Sequence, residues 1–177
     1  MRPNLPITIA AFATLALPTL SHAQTKTPAL PPLVNIAGLD PKGNIAGFQT
    51  YFEVSAFSFG ASNPASIASG KISPSKPNFS ELSFQRSSDL ISTELLGALT
   101  TGRVFATVTI KLGGDITITL SDVRITSYQL SNPQENKPME QLSLAFGKIK
   151  FEKEVTEKNG TKAKPVSMTW DLVNSKS

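Results

Sequence analysis

Residues 104–112 set Val108, Ile110 and Leu112 against Thr107, Thr109 and Lys111, a period of two that predicts a β-strand with one buried face. Gly113 and Gly114 follow. Paired glycines take the two positive φ angles of a tight turn without steric cost, so the chain should reverse directly into Ile116, Ile118 and Leu120. After Leu120 the alternation slips and resumes at Val123 and Ile125, which predicts a β-bulge near Ser121 and Asp122 that bends the strand. Leu142, Leu144 and Phe146 hold one phase and Ile149 and Phe151 the other, so a second bend is expected at Gly147 and Lys148. Asn159 and Gly160 then turn the chain into a last strand carrying Val166, Met168, Trp170 and Leu172. Trp170 is the only tryptophan. Its place in an alternating strand makes it a core residue, and truncating it to alanine should cost about 3–5 kcal/mol.

Upstream, residues 48–59 form an aromatic-rich strand that ends at Gly60, and residues 79–85 place Leu82 and Phe84 at spacing two. One segment keeps a helical period instead. Leu90, Ile91, Leu95, Leu96 and Leu99 make an apolar stripe across residues 88–100, with Ser88 as a cap, Asp89 at the positive end and Gly102 as the stop. Gly97 weakens this helix by about 1 kcal/mol relative to alanine, so packing must hold it. The resulting fold class is mainly β: a small closed β-barrel of two sheets, bent at the two slips, with one flanking α-helix.

Two stretches break the pattern. Residues 24–33 contain Pro28, Pro31 and Pro32, a composition that favours an extended, mobile leader. Residues 60–77 hold many serines and three prolines with little apolar content, long for a loop in a compact domain and therefore a candidate for function.

The N-terminus reads as a cleavable export signal over residues 1–23: Arg2, an apolar core from Ile7 to Leu17, Pro18, and the small residues Ser21 and Ala23, with cleavage between Ala23 and Gln24. That apolar run is well short of the roughly 20 residues that span a bilayer, so no membrane anchor is expected and the product should be secreted or periplasmic. The remaining organisation is a domain over residues 34–173 and a C-terminal tail at 174–177.

Composition then removes whole classes of chemistry. The chain has no cysteine, and its one histidine, His22, lies inside the signal. A mature chain without either residue cannot build a Ser-His-Asp triad, a Cys-His pair or a zinc site made from those ligands. Phosphate-cradling, EF-hand and HExxH patterns are absent, so no catalytic, cofactor-binding or metal-binding residues are assigned and the chain reads as a non-enzyme. The net charge of +4 does not point to nucleic acid, because the lysines at 148–164 alternate with Glu152, Glu154 and Glu157 as on a solvated hairpin.

The order of elements resembles the haemolysin-coregulated protein (Hcp) family, ring-forming tube subunits of type VI secretion systems. The similarity runs from Phe52 to Leu172. It is carried by Ser58-Phe59-Gly60, by Ser69-Gly70-Lys71, by Leu82-Ser83-Phe84 with Arg86 and Asp89, and by Gly102 ahead of Val108-Thr109-Ile110. Ile118-Thr119-Leu120, Asp122-Val123, residues 144–151 and Trp170 complete it. The resemblance implies a barrel that self-associates into stacked hexameric rings and lets an effector or envelope protein bind. It also implies that the long loop reaches toward the next ring, with Ala61, Ser62, Asn63, Pro64, Ile67, Ser69, Gly70 and Lys71 as contact candidates. Export leaves an alternative open: a monomeric barrel that binds a glycan, a peptide or an envelope partner.

Overall fold

The computed structural model describes residues 30–68, 70–132, 137–157 and 161–176. The export signal, with Ala23 and Gln24, and the Asn159-Gly160 turn lie outside the described residues. The chain opens with β1 (Leu33–Ile36), whose first residue, Leu33, is buried rather than part of a leader. Next come β2 (Phe52–Glu53), β3 (Ala56–Ser58), β4 (Ala61–Ser62), β5 (Ala65–Ala68), β6 (Lys71–Pro74), β7 (Asn78–Phe79) and β8 (Leu82–Ser87). Helix α1 (Ser92–Thr101) leads to β9 (Phe105–Leu112), β10 (Ile116–Ser131), β11 (Met139–Ala145), β12 (Lys148–Lys153) and β13 (Val166–Asp171).

The β9–β10 turn forms at the expected glycines, but its loop is Gly113, Gly114 and Asp115 rather than the two glycines alone. Gly113 and Gly114 have φ of 60° and 87°, and Leu112 pairs with Ile116. Strand β10 is the spine of the fold. Its first half lies between β9 and β12, and its second half pairs with β11. β11 and β12 form one bent run, because Ala145 faces Arg124 and Lys148 faces Ser121 in a single register. The expected slip at Asp122 is real but is not the bulge: Asp122 has φ +55° while Ser121 and Val123 keep the same register against β9. The register shift falls later, between Ile125 and Ser127.

Two sheets result, β2-β1-β9-β10-β12-β13 and β3-β8-β11-β10, joined through β10. Their facing sides supply one core, with Val34, Val108, Ile110, Ile118, Leu120 and Ile149 from the first and Leu82, Phe84, Ile125, Leu142 and Leu144 from the second. The expected closed barrel is not completed by ladder pairing among the described residues. β2 and β3 end the pairing path: β2 pairs with β1 and β3 with β8, and no register joins the two among the described residues.

Helix α1 starts three residues later than its apolar stripe suggests. Asp89 Oδ1 accepts the Ile91 N–H at 3.0 Å and Ser92 Oγ accepts the Asp89 N–H at 2.9 Å, so a side-chain-stabilised turn precedes the helix. Ser88 is not the cap; its hydroxyl meets the Ser92 hydroxyl at 2.9 Å. Leu90 is consequently 87% exposed and Leu96 is exposed too, while Ile91, Leu95 and Ala98 are buried. Gly102, at φ +64°, closes the helix as expected, and the Arg103 N–H reaches the Ala98 carbonyl at 2.9 Å.

The aromatic strand also starts late. Phe48 and Tyr51 belong to a turn, with the Tyr51 N–H on the Phe48 carbonyl at 3.0 Å and the two rings edge to face. In β13, Trp170 is half-buried against the core, but Val166 and Met168 are exposed on a strand that, among the described residues, pairs with β12 alone at the edge of its sheet. Beyond it the chain turns back rather than trailing away, with the Asp171 N–H on the Lys176 carbonyl at 2.8 Å.

Candidate functional site

The long serine-rich segment is a projecting β-arm. Its root is aromatic: Phe59 packs against Phe79 and Phe146, with ring centroids 6.2 Å apart in both pairs. At that root the Gly60 N–H donates to Ser80 Oγ at 2.8 Å and the Ser80 N–H to the Gly60 carbonyl at 2.9 Å. β4 and β7 pair next, Ala61 facing Phe79. Beyond them the Ser75 N–H donates to the Pro64 carbonyl at 3.2 Å, and β5 and β6 form a second ladder from Ala65–Pro74 to Ala68–Lys71. Gly70 sits at φ +71°, a conformation that suits glycine at the tip.

Of the sequence candidates, Ala61, Ser62, Asn63, Pro64, Gly70 and Lys71 are exposed along this arm. Ile67 stands in β5 opposite Ile72, and Ser69 lies outside the described residues. The loop expected from composition is thus largely a hairpin. Prolines are tolerated because each strand of a two-stranded ribbon is an edge, with one side of its backbone free of ladder bonds.

A second feature lies at the other end of the same strands. From Ser58, β3 leads into the arm; in the opposite direction β2, β3 and the end of β8 border a cavity of about 640 Å³. Pro32, Asn44, Tyr51, Phe52, Glu53 and Arg86 contribute to its wall. Arg86 is only 2% exposed. Its Nη2 pairs with Asp89, its Nη1 lies 3.5 Å from Glu140 Oε2, and its guanidinium stands 4.6 Å from the centroid of Phe52. Glu140, fully buried, accepts a hydrogen bond from the Tyr128 hydroxyl at 2.9 Å. Burial and that carboxylate push the Tyr128 phenol up to about 12, since ionisation would place a second negative charge beside Glu140. Arg86 Nε and Nη1 and one Glu140 oxygen have no hydrogen-bond partner among the described residues.

The residue pattern contains a signal for this pair. Leu82, Phe84 and Arg86 continue one alternation and Glu140, Leu142 and Leu144 another, and the register sets Arg86 opposite Glu140. Two inward positions of opposite charge at the ends of apolar ladders mark a buried ion pair.

Among the described residues no cluster of three His, Cys, Asp or Glu side chains could hold a metal ion, and no helix is long and apolar enough to cross a membrane.

Residues 34–152 match the family described as type VI secretion system effector, Hcp. This match covers well over half of the chain, and the chain belongs to that family. Comparison with curated protein sequences finds no match. Solved structures agree on the fold. A structure described as a type six secretion system protein superposes with a TM-score of 0.76 at 21% identity, covering 84% of this chain and 99% of the other. Hcp1 from Salmonella typhimurium gives 0.68 at 17% identity, covering 82% and 97%. A type VI secretion system effector from Yersinia pestis gives 0.65 at 22% identity, covering 79% and 98%. At such identities these three are alike in fold; the family match carries the membership.

Proposed function

We propose that this chain is a structural, non-catalytic tube subunit that self-associates into hexameric rings, and that the arm links one ring to the next. The observation that carries this reading is the arm itself: a polar hairpin, rooted on three phenylalanines, whose tip strands pair, among the described residues, only with one another. A ribbon of that length has backbone edges to offer and no core of its own to fill. It suits contact with a neighbour.

In this reading the barrel closes at the corner between β2 and β3. Two hydrogen bonds support closure: the Val54 N–H to the Pro32 carbonyl at 2.9 Å, on the first sheet's side, and the Ser55 N–H to the Gln85 carbonyl at 2.8 Å, on the second's. A closed wall gives each subunit the rigidity that a ring of copies requires.

Residues 1–23 direct export, so rings assemble from the chain that begins at Gln24. Negative-stain electron microscopy of the purified exported protein tests the reading. Annular particles with an open centre, some stacked, are expected. A field of single small particles that bind a glycan or an envelope component would favour the monomeric module instead.

A further inference from the structure

The described chain begins at Leu30, at the end of the fold away from the arm. Pro31 and Pro32 border the cavity, at the other end of β3 and β8 from the Gly60–Ser80 junction at the arm root. The exit of the leader is pinned there. The Val54 N–H holds the Pro32 carbonyl at 2.9 Å, Leu33 is buried, and a Cβ placed on Gly114 would lie 3.8 Å from Leu30 Cδ1, which sets the exit beside the β9–β10 turn. A stack of identical rings is a head-to-tail contact in which every ring presents both of its faces, so a face that carries an obstruction cannot be built upon. We propose that removal of residues 1–23 licenses stacking: the uncut leader stands in the face that the next ring must approach, and cleavage after Ala23 clears it. This rests on the stacking reading above and adds its control.

Length carries the effect. Uncut, residues 1–29 precede Leu30 and can reach at most about 100 Å; after cleavage only residues 24–29 remain, with a reach of at most about 20 Å. Bringing two rings together over uncut leaders confines all of residues 1–29 in every copy, and lost chain freedom opposes association in proportion to the residues restricted. Composition adds to length. The removed part holds the uncharged apolar core from Ile7 to Leu17, whereas the retained part includes Thr25, Lys26 and Thr27 and stays in water beside a neighbour without cost. Residues 1–23 also lie ahead of the stretch shared with the family, so their loss takes nothing from the fold. The device has a use: a chain destined for export crosses a membrane as single copies, and tying stack growth to cleavage keeps uncut copies out of a tube until then.

The test compares residues 24–177 with the same chain preceded by a glycine-serine segment as long as residues 1–23 that ends in a site for a sequence-specific protease. This segment keeps the length of the signal and drops its apolar core, so clumping cannot imitate the effect. Light scattering reads rings and sedimentation reads stacks. Both chains should form rings, the extended one with several-fold fewer stacks, and the protease should restore stacks in the same sample. Equal stacking before and after the protease overturns the control and leaves the stacking reading standing. Loss of rings as well as stacks in the extended chain would put the exit in the contact between neighbours of one ring and overturn it too. Absence of stacks from residues 24–177 sinks the stacking reading and this inference together. Because the chain has no cysteine, Leu30→Cys gives a second readout. Leu30 is 37% exposed, and the thiol there should react with a maleimide several-fold more slowly in stacks than in dispersed rings of residues 24–177. Equal rates would place the exit away from the face between rings and refute the proposal.

Discussion

Asp122 and Gly147 face each other where β10 and the β11–β12 run bend together: a Cβ placed on Gly147 would lie 3.2 Å from the Asp122 Cβ. Asp122 takes φ +55° to turn the strand, and Gly147 leaves the room. The Gly147 N–H reaches the Ser121 carbonyl at 2.9 Å, so the backbones stay joined through the corner.

Gly147→Ala should therefore destabilise the fold by about 1–3 kcal/mol, the usual range for overpacking a tight site. Asp122→Gly in the same chain should recover most of the loss, since it removes the opposing Cβ and relieves the positive φ. Gly97→Ala is the contrasting case: a Cβ there meets nothing within 4 Å, so the helix should gain about 1 kcal/mol. Denaturant midpoints measure all three, and equal losses at Gly147 and Gly97 would contradict the corner's tightness.

Arg86→Met leaves Glu140 buried without its cation, which should cost about 3–5 kcal/mol. Pairing it with Glu140→Leu should restore most of that stability, because two apolar groups replace a pair whose hydrogen bonding is incomplete. A double variant no better than the single one would show that the ion pair itself, rather than the stranded charge, sets the cost.

Tyr128 is raised above its ordinary 10 to about 12 in the folded state. The unfolded chain ionises first, so this contribution to stability is whole below about pH 10 and is lost as pH climbs through about 12. Burial also raises Tyr51, the other tyrosine. Ultraviolet titration should show late phenol ionisation, and Tyr128→Phe should remove the latest step. Both phenols titrating near 10 would contradict the Glu140 contact.

Deleting residues 66–74 removes the arm tip, whose strands pair only with one another among the described residues, and spares the aromatic root. The melting temperature should stay within a few degrees and stacks should vanish. Global unfolding on deletion would make the arm part of the core.

Much of this was legible in the residue pattern because strands between two layers must alternate. Val108, Ile110, Ile118 and Leu120 could face nowhere but inward, and both corners were visible as slips of phase. The start of the helix was hidden because Asp89 and Ser92 can satisfy the backbone locally, which puts Leu90 in a turn instead of a helical stripe. The arm's ladder was hidden because Ser, Ala and Pro dominate residues 61–77 and set no period-two pattern of apolar positions there. At the cavity, Arg86 was a marker of resemblance only; its burial is set by register against Glu140, a pairing across many residues of intervening chain.

The central claim, that the barrel serves as a ring-building subunit, is tested most directly by the mass of the purified exported protein in multi-angle light scattering. Assembly predicts about six chain masses at micromolar concentration, insensitive to added glycans or envelope extract. A single chain mass persisting at tens of micromolar would contradict it.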